Sequence, residues 1–301
     1  MPANEHELYL RFHTPDARII ARDPSPMLPQ EQAWARYQAR VHTSGWLEWL
    51  ILPLVIGTWM PALLLWIVLS LYQWLLAPDF DPARHWPVIV AGLVTSTLLL
   101  VGGWVAWNRR CAAQDPRLRY WQAMPETGEV ELEQHRLVSA ISLWSNDFDP
   151  DRHQIPQWID GQIREMPDSG ISEWVLARTV EGRWLVLRQR IAGTFRGYGT
   201  QVRPTADRHW QLSHELAIVF APRTNLSLGM RFSAAPLLVT RTEYWLNPDE
   251  LARLTAAAHH WTFFAPDRYA VVNPAEVPWI EALVARARVC AEGLSEGLFG
   301  D

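Results

Sequence analysis

No lysine occurs in this sequence: all 27 basic residues among its 301 are arginine. A Walker-type phosphate loop, a Schiff-base enzyme and Ser–Lys catalysis each need a lysine amine, so all three are excluded. Cysteine is almost as scarce, and Cys111 and Cys290 alone build neither a disulfide framework nor a cysteine zinc cluster. Excess positive charge is missing too. With 27 basic against 32 acidic residues and a net charge of −5, the chain has no general means of gripping a nucleic acid duplex.

Charge of either sign is absent from two long stretches, Trp49–Pro78 and Trp86–Trp107. A helix of roughly 20 apolar residues crosses a bilayer core, so these stretches predict two membrane-spanning helices, about 49–76 and 86–107. A charged segment precedes the first stretch, which argues against a cleaved signal peptide. Arginine sets the expected orientation. Arg11, Arg18, Arg22, Arg36 and Arg40 precede the hairpin, Arg109, Arg110, Arg117 and Arg119 follow it, and the connection holds only Arg84. Both termini are therefore expected in the cytoplasm, where two unpaired cysteines suit the reducing compartment. The use of arginine for lysine fits a genome rich in G and C, and with it a bacterial inner membrane. Pro53 and Pro61 are expected kink points of the first span. Gly92, Ser96, Gly102 and Gly103 are small enough for close helix approach, within the hairpin or to another chain.

What remains is expected to divide into residues 1–45, 46–107 and 108–301. The first is a cytoplasmic tail, flexible around Pro24-Ser25-Pro26, with a short amphipathic helix over Glu31–Arg40 lying on the membrane surface. The second is the membrane hairpin. The third is an α+β domain with a mainly antiparallel sheet and flanking helices. His209–Pro222 alternates with period two, as a half-buried strand does. Trp174–Val180 and Arg183–Ile191 flank Glu181-Gly182 as a hairpin. Leu226–Phe232 and Leu237–Tyr244 are further expected strands, and Trp261–Phe264 with Tyr269–Val272 reads as another hairpin. Asn247-Pro248, Asn273-Pro274 and Asp149-Pro150 each read as a helix start, the last before Ile155, Trp158, Ile159 and Ile163.

Several constellations carry chemistry on paper. Asp147–His153 alternates carboxylates like a calcium loop, but Arg152 and Trp158 stand where glycine and glutamate are required. Its echo at Asp79–His85 points to helix capping instead. The ten histidines show no metal spacing, and no metal or cofactor is expected. His214 reads as a hydrogen-bonded core histidine. Glu133 and His135 are suited to a serine partner that the sequence does not reveal. The most suggestive segment is Arg183–Arg208. Here Arg188, Arg190, Arg196, Arg203 and Arg208, with Tyr198, surround a glycine-rich stretch suited to a phosphate or another anion, or to an acidic partner peptide. With no catalytic pattern, the chain reads as a non-enzymatic inner-membrane protein in contact with the bilayer. Its cytoplasmic domain would bind a protein partner, as in an accessory subunit of an envelope or secretion machine or an immunity protein against a membrane-targeting toxin. Self-association is also open. The alternative is a two-helix membrane effector gated by a nucleotide or another small anion at the arginine segment.

Overall fold

A computed structural model of the chain describes residues 22–42, 46–114, 116–147, 154–195, 197, 201, 209–258 and 268–297. It contains strand β1 (Asp23–Pro26) and helices α1 (Pro29–His42), α2 (Trp46–Leu75), α3 (Trp86–Gln114) and α4 (Pro116–Ala123). There follow β2 (Glu129–Asn146), β3 (Gln154–Ile159), β4 (Gln162–Thr179), β5 (Trp184–Ala192), β6 (Ser213–Phe220), β7 (Ser227–Pro236) and β8 (Val239–Trp245). Helix α5 (Pro248–Ala257), strand β9 (Arg268–Val271) and helix α6 (Val277–Gly297) complete it. The fold is α+β with a mostly antiparallel sheet and two long apolar helices, and it forms two compact units: residues 1–35 with 126–301, and residues 36–125.

The β-rich unit is organised by β2. Its first half lies between β1 and β6, and its second half between β4 and the parallel strand β8. The changeover falls at a register shift between Leu137 and Ser139. There Val138 is half exposed, as at a β-bulge that bends a strand from one sheet into the next. The two halves give two sheets, β1-β2-β6-β7 and β8-β2-β4-β5-β9. One core lies between them, with Leu216, Ile218 and Phe220 of β6 against Val175, Leu185 and Leu187. On the other face of the larger sheet, Leu254 of α5 and Ile280, Leu283 and Ala287 of α6 cover Trp174, Leu176, Trp184 and Val186.

Local signals account for most of these elements. The 174–180/183–191 hairpin, the strands in 209–244 and both Asn-Pro helix starts form as expected. Asn247 accepts from the Glu250 N–H at 2.8 Å and Glu250 answers at 3.2 Å, completing a capping box. Asp81 caps the short 3-10 turn Pro82–His85. Three expectations are corrected. Ile155–Ile163 is not helical: β3 and β4 pair across Asp160 and Gly161, at φ 50° and 78°, the left-handed pair that a tight hairpin turn requires. His214 is exposed, although its Nδ1 bonds the Leu137 carbonyl at 3.0 Å; it is a surface histidine tied to β2 and not a core one. Pro24–Pro26 is a paired strand and not a flexible tail. Its prolines lack N–H groups, which an edge strand tolerates. Of the expected 261–272 hairpin, the described part is β9, paired with β5, with the remainder outside the described residues.

In the second unit, Pro53–Leu75 and Pro82–Cys111 are long and apolar enough to cross a membrane, and almost none of their residues are buried. Pro53, Gly57 and Pro61, spaced four apart, share one face of α2. A Cβ on Gly57 would stand 2.7 Å from Val101 Cγ2, so glycine is what lets α2 meet α3 there.

Candidate functional site

The arginine segment begins on β5, where Arg188 and Arg190 alternate with the core residues Leu187 and Ile191. Both guanidinium groups are engaged inside the domain. Arg188 is ion-paired with Asp147 and donates to Ser172 Oγ at 3.1 Å. Arg190 pairs with buried Asp168 at 3.0 Å and donates to the Asp147 carbonyl at 3.0 Å. Burial pushes the Asp147 carboxyl up, and Arg188 opposes that shift. The expected anion clamp is therefore, at these two positions, an internal charge network. Asp147, the first residue of the calcium-like string, belongs to the same network. Arg196, Tyr198, Arg203 and Arg208 lie outside the described residues, as do residues 148–153.

A second polar cluster lies between the sheets. Glu133 and His135 sit on the inward face of β2, and His135 Nε2 is 2.9 Å from Glu133 Oε1. Among the described residues no serine joins them. Tyr269 of β9 supplies the third group, donating to Glu133 and lying 2.7 Å from His135 Nε2. A carboxylate only accepts, so the His135 nitrogen facing it carries a proton. Arg22 closes the set, its Nε 3.6 Å from Glu133 Oε2. Burial raises the Tyr269 hydroxyl well above the usual phenol range, and the Glu133 charge adds to the effect. At neutral pH the Tyr269 phenol therefore keeps its proton and acts as a hydrogen-bond donor to Glu133. The sign of the linkage follows. Above about pH 10 the unfolded chain releases this proton while the folded chain keeps it, so stability is full below about pH 10 and is lost as pH rises beyond it. Urea midpoints measured from about pH 8 to about pH 11 are expected to fall above pH 10 in the wild type and much less in Tyr269→Phe. Equal alkaline losses in both would overturn this assignment.

A third cluster surrounds Glu173 of β4. Its Oε1 accepts from His209 Nδ1 at 2.9 Å and from Arg241 at 3.0 Å, and the His209 ring in turn meets Trp144 edge to face, centroids 5.2 Å apart. Glu31, finally, pairs with Arg231 at 2.7 Å. One rule covers the four carboxylates buried among the described residues, since Glu31, Glu133, Asp168 and Glu173 are each met by a guanidinium. An unpaired buried charge is costly, and arginine, planar and weakly hydrated, is suited to meeting it. Sequence reasoning saw Glu133 and His135 but missed Tyr269, Arg22 and Arg241, whose partners lie far away along the chain.

Of the small residues expected at helix contacts, Gly92 and Ser96 line an apolar groove of about 850 Å³ between α2 and α3, together with Pro53, Gly57 and Pro61. A side chain at Gly102 would meet nothing within 4 Å. The close contact is made by Gly57, which a search for small residues in the second span alone overlooks. Among the described residues no group of three His, Cys, Asp or Glu is placed to hold a metal ion. Compared with family models, curated proteins and solved structures, the chain matches none.

Proposed function

We propose that this chain is a multi-pass protein of the bacterial inner membrane, anchored by the α2–α3 hairpin, whose β-rich domain binds a protein partner in the cytoplasm without doing chemistry. The observation that carries the reading is the β1–β2 ladder. Asp23–Pro26, before the two apolar helices, pairs with Glu129–Leu132, after them. Segments that share a ladder lie on one side of a bilayer, so the chain between them crosses an even number of times. Two helices of sufficient length with almost wholly exposed apolar surface agree with two crossings. The arginine-rich flanks support a cytoplasmic location for that shared side. The non-enzymatic part rests on the carboxylates, whose charges are engaged in holding strands together.

The natural cysteines test the topology. Cys111 and Cys290 are both exposed and unpaired. An impermeant maleimide is expected to label neither in intact spheroplasts and both after lysis. A cysteine placed at Ala83 in a Cys111→Ser/Cys290→Ser background is expected to label from outside. Labelling of Cys290 in intact spheroplasts would overturn the orientation. Native mass spectrometry of the gently extracted protein tests the partner. A stoichiometric second polypeptide supports it, and a bare monomer from its own membrane counts against it.

A further inference from the structure

Helix α2 has two opposite faces of different character. Pro53, Gly57 and Pro61 are buried on the face that meets α3. Trp59 and Trp66 stand seven residues apart, and Gln73 follows at the same interval. A step of seven is nearly two full turns, so the three share one stripe. At about 100° per residue, Trp59 points about 160° away from Gly57, which sets the stripe on the far side of α2 from α3. Trp59 is 76% and Trp66 67% exposed, and Gln73 is exposed as well. Neither indole N–H has a hydrogen-bond acceptor among the described residues. Resting on the two-span reading above, we propose that this stripe is the contact with a second copy of the chain, α2 pairing with α2 in parallel.

Depth argues for a protein on this stripe. Within Pro53–Leu75, Trp66 stands about 3 Å and Trp59 about 8 Å from the middle, well inside a hydrocarbon core about 30 Å thick. Trp74 and Trp86, by contrast, stand at span ends, where headgroups receive an indole N–H. Acyl chains offer no acceptor to the two indoles in mid-span. Spacing argues for a helix. A repeat of seven matches the seam of two helices that supercoil left-handedly, whereas lipid imposes no period. Ala62, on the same seam between the indoles, leaves room for the opposing ring. Complementarity argues for a second copy. Copies of one chain insert in one orientation, so equal residues face each other at equal depth. Each indole then sets its N–H edge on the π face of its counterpart, positive edge on negative face. Gln73, at the edge of the core, both donates and accepts, so it too is its own complement. A foreign helix would have to bring an acceptor to both indole depths. At the exposures above, the four indoles of a pair cover about 400–700 Å². Leu63 and Gln73 bring the stripe near the roughly 1,000 Å² that a specific interface needs.

The test uses the full chain in bacterial membranes, in the Cys111→Ser/Cys290→Ser background. With Ala62→Cys, on the stripe, oxidation is expected to give a covalent band of twice the chain mass. With Val68→Cys, on the groove side of the same helix, it is expected to give none. In lipid vesicles, energy transfer between labelled copies is expected for the wild-type stripe, and Trp59→Leu/Trp66→Leu is expected to weaken association at least tenfold. Leucine keeps the span apolar, so the double variant still inserts. A cysteine placed at Ala83 in that variant and labelled from outside checks this independently. Unchanged labelling with lost association supports the contact, while lost labelling in the wild-type stripe would sink the two-span reading and this inference with it. With labelling intact, three results overturn the inference alone. One is an Ala62→Cys band no stronger than that of Val68→Cys. Another is a band that holds a different polypeptide, which would give the stripe to a foreign helix. The last is absence of energy transfer, or transfer equal in the double variant, which would leave the stripe to lipid.

Discussion

Arg22→Met is expected to destabilise the β-rich unit by about 3–5 kcal/mol, the usual cost of removing one partner of a buried ion pair. Among the described residues, Arg22 is the guanidinium that meets Glu133, whose side chain is wholly inaccessible. It also donates to the Thr224 carbonyl at 2.6 Å and to Asn225 Oδ1 at 2.7 Å, and it lies 3.6 Å over the Phe220 ring. Burial lowers the guanidinium's own pKa against the pull of Glu133 and Glu131, but an arginine stays charged at any working pH. Methionine keeps the stem's packing and removes the charge, leaving Glu133 with His135 and Tyr269 as its donors among the described residues. Hydrogen exchange of full-length protein, followed in peptides from β2 and β6, reads the local opening free energy. Adding Glu133→Gln is expected to recover part of the loss, because the uncompensated charge disappears with it. A loss below about 1 kcal/mol would mean that the pair holds nothing together.

Trp174→Ala should cost a similar amount, about 3–5 kcal/mol, through a different mechanism. The indole is 1% exposed. It sits on the helix-facing side of β4 among Ile141, Leu143, Leu254, Ile280 and Leu283. Its N–H donates to Ser145 Oγ at 2.7 Å. Truncation leaves a cavity that strands on both sides and two helices cannot close, and it removes the donor that Ser145 receives. Trp174→Phe separates the two effects: it restores most of the volume, so most of the stability is expected to return. Exchange protection in peptides from β4 and α6 is the measurement. Equal losses in both variants would put the hydrogen bond, and not the packing, in control.

How far the sequence reveals this molecule depends on how local each signal is. Strand alternation in β6, the Glu181-Gly182 turn and the Asn247 cap act within a few residues, and all are found. The β3–β4 arm failed because Ile155, Trp158, Ile159 and Ile163 also fit a helical stripe. Asp160-Gly161 was the deciding pair, since a two-residue left-handed turn outranks spacing. The short helix at Pro29–His42 was legible, yet not what its face meets: Glu31, Trp34, Ala35 and Gln38 are buried. In the arginine segment, composition showed a cluster of positive charge but not the carboxylates that answer it. Asp147 is 41 residues from Arg188, and Asp168 lies on the neighbouring strand β4, where it pairs with Ala192. A guanidinium that grips a ligand and one that holds a fold together look alike until the topology is known.

The β1–β2 ladder also sets an order of events during synthesis. Arg22 and Asp23–Pro26 leave the ribosome early, yet the carbonyl that Arg22 bonds lies 202 residues later. At about 5–20 residues per second, the wait is roughly 10–40 s. Both long apolar helices emerge within that interval, so the domain is completed only after the hairpin has been made. A chain truncated before β6 would retain the apolar helices and the partner strand of β1, but would lack the Thr224 carbonyl and the Asn225 side chain that hold Arg22. Such a product would be marked for removal by an unfinished fold, however well its helices had inserted.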